Sequence, residues 1–149
     1  MSYPKICAVL FCVLSIAGCA SADARKRFSA PPTASEIWSL KAGRVSELEI
    51  ERSLLECGIP APNARGLEAI RFFGGIAPED LLELHACVDL CMQRSGFELR
   101  PGFTPLCKER PTLRACQPEN AHLIPTRDPE RRMNSVFCKA YPKADACQP

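Results

Sequence analysis

The sequence predicts a mainly α-helical fold: a small disulfide-stapled helical domain followed by a loop-rich, proline-rich C-terminal half. Three observations carry that prediction. Two stretches begin and end as helices do. The chain holds ten cysteines and fourteen prolines in 149 residues, a composition that supplements a thin core with covalent closure. And one cysteine frame is written twice, as LCKERPTLRACQP at 106–118 and FCKAYPKADACQP at 137–149. Nothing alternates with period two for long, so sheet is a minor component; a short hairpin near Phe97 to Phe103 is the strand candidate.

The first helix starts at Val45-Ser46-Glu47-Leu48-Glu49-Ile50. Ser46 and Glu49 have the spacing of a capping box, and Val45 and Ile50 that of a hydrophobic staple. The helix runs to about Cys57. Gly58 is free to take the left-handed stop, and Pro60 and Pro62 forbid continuation. The second helix starts at Pro78, with Glu79 and Asp80 against its positive end. Leu81, Leu84, Val88 and Cys91 give it one buried face, and Gly96 ends it. Between the two, residues 67–73 predict a short third helix closed by Gly74 and Gly75. From Pro101 onward eight prolines, Pro101 included, break the chain into a string of loops. The organisation is thus a helical domain over 37–100 and a duplicated Cys-loop tail over 101–149.

In each frame two cysteines enclose eight residues, with proline four places after the first. Loops this short close without long-range order, so we pair Cys107 with Cys116 and Cys138 with Cys147; two crossed bridges are the alternative. Loop closure credits each with roughly 2–3 kcal/mol. Cys57 ends the first helix and Cys91 lies on the buried stripe of the second, so these two pair and staple helix to helix. Cys87 lies about 40° off that stripe and is left over. It is a free thiol, an intermolecular cross-linker, or the true partner of Cys57.

The N-terminus reads as an address. Lys5 is followed by an uncharged apolar run from Ile6 to Gly18, too short to span a bilayer comfortably, which is the form of a signal-peptide core. It ends in Ile16-Ala17-Gly18-Cys19, which resembles the lipobox of bacterial lipoproteins. That likeness implies a signal peptide over 1–18, lipidation of Cys19 with diacylglycerol and palmitate-type acyl chains, and a mature chain starting there. Several acyl chains anchor firmly where one is marginal. Ala20 follows Cys19 in place of an inner-membrane retention Asp, which favours the outer membrane. Residues 19–36, with Arg25-Lys26-Arg27, read as a tether: the triplet either touches anionic headgroups or is merely solvated. The competing reading cleaves after Ala22 or Ala24 and gives a soluble secreted Cys-rich protein.

Most chemistry is excluded. A formal net charge of +2 leaves no electrostatic footprint for nucleic acid. His85 and Cys87 diverge by about 200° on a helix and cannot share an ion there, and His122 is remote in sequence, so we expect no metal and no cofactor. Cys87 with either histidine is a nominal nucleophile pair, but no elbow, triad order or paired-carboxylate frame accompanies it, so no catalytic residue is assigned. Trp38 is either a binding aromatic or a core plug.

The order lipobox, Trp38/Lys41/Gly43, Cys57-Gly58, Cys91-Met92, Gly96-Phe97, Cys107 and Cys116 resembles small uncharacterised lipoproteins of Gram-negative bacteria and their prophages. The likeness spans Trp38 to Pro118. It departs at Cys87, in the spacing from Trp38 to Lys41, and in the second Cys frame. It implies the envelope location and the Cys57–Cys91 pairing, and it implies no activity. The expectation is an envelope lipoprotein facing the periplasm that binds a protein partner or peptidoglycan, with Lys108, Glu109, Arg110, Lys139, Tyr141 and Lys143 as exposed contacts. A periplasmic inhibitor or immunity-type lipoprotein is the alternative.

Overall fold

Ser46 starts the first long helix as its sequence requires: its Oγ accepts from the Glu49 amide at 3.1 Å. Only that half of the capping box forms, because the Glu49 carboxylate is taken by Arg127 at 2.9 Å. The computed structural model describes residues 32–62 and 77–149. The expected signal peptide, Cys19, most of the stretch expected as a tether and the short helix expected over 67–73 lie outside the described residues.

Chain order begins with α1 (Ala34–Ile37), β1 (Trp38–Leu40), α2 (Glu47–Glu56), α3 (Pro78–Arg94) and β2 (Phe97–Leu99). It continues with α4 (Leu106–Glu109), 3-10 turns at Arg114–Cys116 and Pro118–Leu123, α5 (Pro129–Met133), α6 (Val136–Ala140) and a last 3-10 turn at Asp145–Cys147. The fold is mainly helical, with three disulfides. Among the described residues no helix is long and apolar enough to cross a membrane.

Helix α2 stops at glycine: Gly58 takes φ +102°, and the Gly58 and Ile59 amides satisfy the carbonyls of Leu55 and Leu54, both at 3.0 Å. An L side chain is strained at that φ. Ile50 is fully buried and Val45 packs against the same core, as a staple does. Trp38, Ile50, Leu55, Val88, Met92 and Phe97 fill the centre beside the Cys57–Cys91 bridge.

The strand expectation is corrected. Phe97–Leu99 does not fold back on 101–103. It pairs antiparallel with β1, matching Trp38 to Leu99 and Leu40 to Phe97. A ladder this far apart in sequence outcompetes the local hairpin because both strands carry a large side chain, Trp38 and Phe97, that the ladder buries.

Ala34 and Ile37 are buried, so the core reaches back into the stretch expected as a tether. Pro32–Pro149 form one unit, and Ile124, Cys138, Ala146 and Cys147 share the core of α2 and α3. The C-terminal half is not only loops. Asp128 accepts from the Glu130 amide at 2.9 Å and Ser135 from the Cys138 amide at 3.1 Å, and these caps start α5 and α6.

Candidate interaction surface

Both cysteine frames fold the same way. A helical turn leads to Arg110 or Tyr141, with φ/ψ of −130°/66° and −128°/64°. Their amides close on the carbonyls of Leu106 and Phe137 at 2.7 and 2.8 Å. The Cys116 and Cys147 amides then return to Leu113 and Ala144 at 3.0 and 2.8 Å. Gln117 and Gln148 donate from Nε2 to the carbonyls of Pro111 and Pro142 at 2.6 and 2.7 Å. Each bridge spans a Cα–Cα distance of 5.3 Å. The shared cysteines, proline and glutamine therefore have structural roles. The cysteines close each loop, the proline shapes its turn, and the glutamine bond holds that turn in place.

Each loop sits on a different long helix. The first lies on α3, where the Glu83 carboxylate accepts from the Arg114 and Ala115 amides at 2.7 and 3.0 Å and Asp89 accepts from the Leu106 amide at 3.2 Å. This is why α3 is buried beyond its Leu81–Val88–Cys91 stripe, with Ala86 and Asp89 also covered. The second lies on α2. Arg52 donates to the carbonyls of Asp145 and Pro149, at 3.1 and 3.4 Å, and Arg132 donates to those of Ala146 and Gln148, both at 2.7 Å. Glu56 is buried between two guanidinium groups, with Arg127 at 2.7 Å and Arg132 at 3.4 Å. Cys57–Cys91 joins the two supporting helices.

The candidate contacts fall on this scaffold as follows. Lys108, Glu109 and Arg110 are exposed on the first loop, and Lys139, Tyr141 and Lys143 on the second. Tyr141 is 53% exposed and its ring lies 5.4 Å from that of Phe137, tilted by 45°. Phe137, Ala140, Tyr141, Pro142, Lys143 and Ala144 line an open groove of about 680 Å³. Trp38 is 1% exposed; the structure makes it core, not a surface contact. Cys107 pairs with Cys116, Cys138 with Cys147 and Cys57 with Cys91, and among the described residues Cys87 is the free thiol. Burial pushes the Cys87 thiol up, Glu83 adds to this, and Arg114 partly offsets it.

A second cleft, of about 350 Å³, lies between α3 and the 102–109 segment, lined by His85, Asp89 and Glu109 among leucines and Phe103. His122 instead sits by its own turn, Nδ1 at 3.2 Å from the Glu119 carbonyl. Among the described residues no group of three or more His, Cys, Asp or Glu side chains is placed to hold a metal ion.

Phe137, Ala144 and the carboxylate clamps were not anticipated from the sequence. Aligning the two frames position by position would have flagged the first two: Phe137 stands where Leu106 does, and Ala144 where Leu113 does. No sequence signal marks Glu83, because its partners are backbone amides. Comparison with protein-family models, with curated proteins and with solved structures finds no match.

Proposed function

We propose that this protein is a binding module of the bacterial cell envelope, held to the membrane through Cys19 and facing the periplasm. Its three disulfides require a compartment that oxidises thiols, and the Ile16-Ala17-Gly18-Cys19 stretch supplies the anchor. The module holds a stapled Cys-loop surface out to a protein or cell-wall partner.

The observation that carries this reading is the doubled Cys-loop. The loops have one backbone geometry, and their outward residues are charged or aromatic while their inward residues fasten them to α2 and α3. A rigid loop loses little conformational entropy on binding, which favours recognition. The outward stretches of the two loops, 108–115 and 139–146, carry no cysteine, serine or histidine, so binding is preferred to catalysis there.

Two measurements test the reading. Intact mass of the chain from a membrane fraction should give a mature protein starting at acylated Cys19. One thiol should alkylate before reduction and six more after it. A lipid-free chain starting after Ala22 or Ala24 would refute the anchor. A photo-crosslinker placed at Lys108, Arg110, Lys139 or Lys143 in whole cells should then trap a discrete envelope partner. No crosslink from either loop would end the binding-module reading.

A further inference from the structure

The first Cys-loop starts with a turn and a clamp. Gly102 takes φ +96° in a turn closed by the Phe103 amide on the Arg100 carbonyl at 3.1 Å. After that turn the Asp89 carboxylate on α3 accepts from the Leu106 amide at 3.2 Å. Between the helix and this span lies the cleft of about 350 Å³. Its walls are fixed before any ligand arrives. The Cys107–Cys116 bridge closes the loop, and Glu83 fastens its far end through the Arg114 and Ala115 amides. A preformed site loses little conformational entropy on binding.

The α3 side of the cleft is Leu81, Leu82, His85 and Asp89. These fall within about 100° of one helical wheel and span about 12 Å of its axis. Along that length the lining changes character. Two leucines give way to an imidazole and then to a carboxylate that is 5% exposed. On the loop side Phe103 and Leu106 add apolar cover, and Glu109 adds a second carboxylate at the exposed rim. Among the described residues that line the cleft there is no lysine or arginine.

We infer that this cleft binds a long cationic side chain, lysine or arginine, of a partner protein. The inference rests on the binding-module reading above and gives that module a specific ligand. Shape, charge and access choose the occupant. Leu81, Leu82 and Phe103 suit a run of methylenes, which packs along apolar surface while its head stays polar. Asp89 and Glu109 suit a positive head, which makes charge-assisted bonds to carboxylates; a carboxylate or phosphate group would be repelled. Gly102, Thr104 and Glu109 are exposed, so the cleft opens to solvent there and the rest of the partner stays outside.

The test is a titration of the purified full chain, in detergent, followed by amide chemical shifts. The probes are N-acetyl-lysine methylamide, N-acetyl-arginine methylamide and the neutral N-acetyl-norleucine methylamide. Saturable shifts should fall on residues 81–89 and 102–109. At least one cationic probe should bind about fivefold tighter than norleucine, and the tighter of the two identifies the side chain. Added salt should narrow the difference. Glu109→Gln should weaken the cationic probe about threefold and leave norleucine unchanged. Leu82→Ser should weaken all three probes. Neither side chain is part of the buried core, so both variants keep the fold.

Equal binding of norleucine and the cationic probes would overturn the inference, as would shifts outside the two stretches or no saturable shift. So would a response to free cadaverine without any response to the lysine or arginine probe, which would make the ligand a small amine. Crosslinks to an envelope partner from Lys108 or Arg110, with no cationic probe bound, would overturn it too, yet leave the binding-module reading standing.

Discussion

Glu56 on α2 and Arg132 on α5 face each other across 3.4 Å, each only 6% exposed. The approach is an ion pair without hydrogen-bond alignment at Nε; the bonds of Arg132 go from Nη1 to the carbonyls of Ala146 and Gln148. Glu56 thus supplies the counter-charge for a guanidinium that holds the second Cys-loop. Removing one partner of a buried pair leaves an uncompensated charge, so Glu56→Ala should cost about 3–5 kcal/mol in denaturant unfolding. A loss below about 1 kcal/mol would mean that solvent and the Ala146 and Gln148 carbonyls already satisfy Arg132.

The three bridges should differ in strength and in order of reduction. Cys57–Cys91 closes a separation of 34 residues and the other two a separation of 9. The loop-closure relation then gives about 3.8 kcal/mol for the first and about 2.6 for each of the others. Access separates the equal pair: Cys138 and Cys147 are buried, while Cys107 and Cys116 are half-buried. Graded reduction with trapping and peptide mapping should open Cys107–Cys116 first and Cys57–Cys91 last.

Glu51 gives stability a pH dependence. Burial first, then Glu47 and Asp145, raise its carboxyl above the ordinary 4.5. The folded state therefore binds this proton more tightly than the unfolded state does. Its contribution is favourable while the group is protonated and is lost as pH rises from the ordinary value through the raised one. Glu51→Gln should accordingly raise Tm at pH 7 and leave it nearly unchanged at about pH 3.5, below the ordinary carboxyl range. An equal rise at both pH values would point to packing instead of charge.

Glu83 joins the first Cys-loop to the free thiol. Glu83→Gln keeps an acceptor but loses the charge that strengthens both amide bonds. Hydrogen exchange at the Arg114 and Ala115 amides should speed up. Alkylation of Cys87 at about pH 7.5 should start several-fold slower than that of an unstructured cysteine and accelerate in the variant. An unchanged alkylation rate would assign the slow reaction to steric cover alone.

The parts of the fold that were legible in the sequence are those fixed by neighbours along the chain. Ser46, Gly58 and Gly96 mark helix ends because capping is local. The two equal Cys frames indicated their own closure for the same reason. The ladder from Trp38 to Leu99 was not legible: three-residue strands are too short to show a period, and the partners are distant. The C-terminal helices were readable at Asp128-Pro129 and Ser135, but the density of prolines argued for loops and masked the caps. Of the surface, Lys108, Arg110 and Tyr141 were identifiable by type. The groove was not, because it depends on how Phe137 and Ala144 sit around Tyr141.

The helix-to-helix bridge also sets how the chain would carry a pulling force. With Cys57 bonded to Cys91, tension applied at the two ends passes through sulfur and bypasses residues 58–90, and the loop bridges shield 108–115 and 139–146 in the same way. Most of α3 is therefore slack under load. What resists is the antiparallel clasp of residues 38–40 on 97–99 together with the bonds that tie α2 to Arg127 and to the last loop, and once these slip the extensible length is set by the short segments between sulfurs.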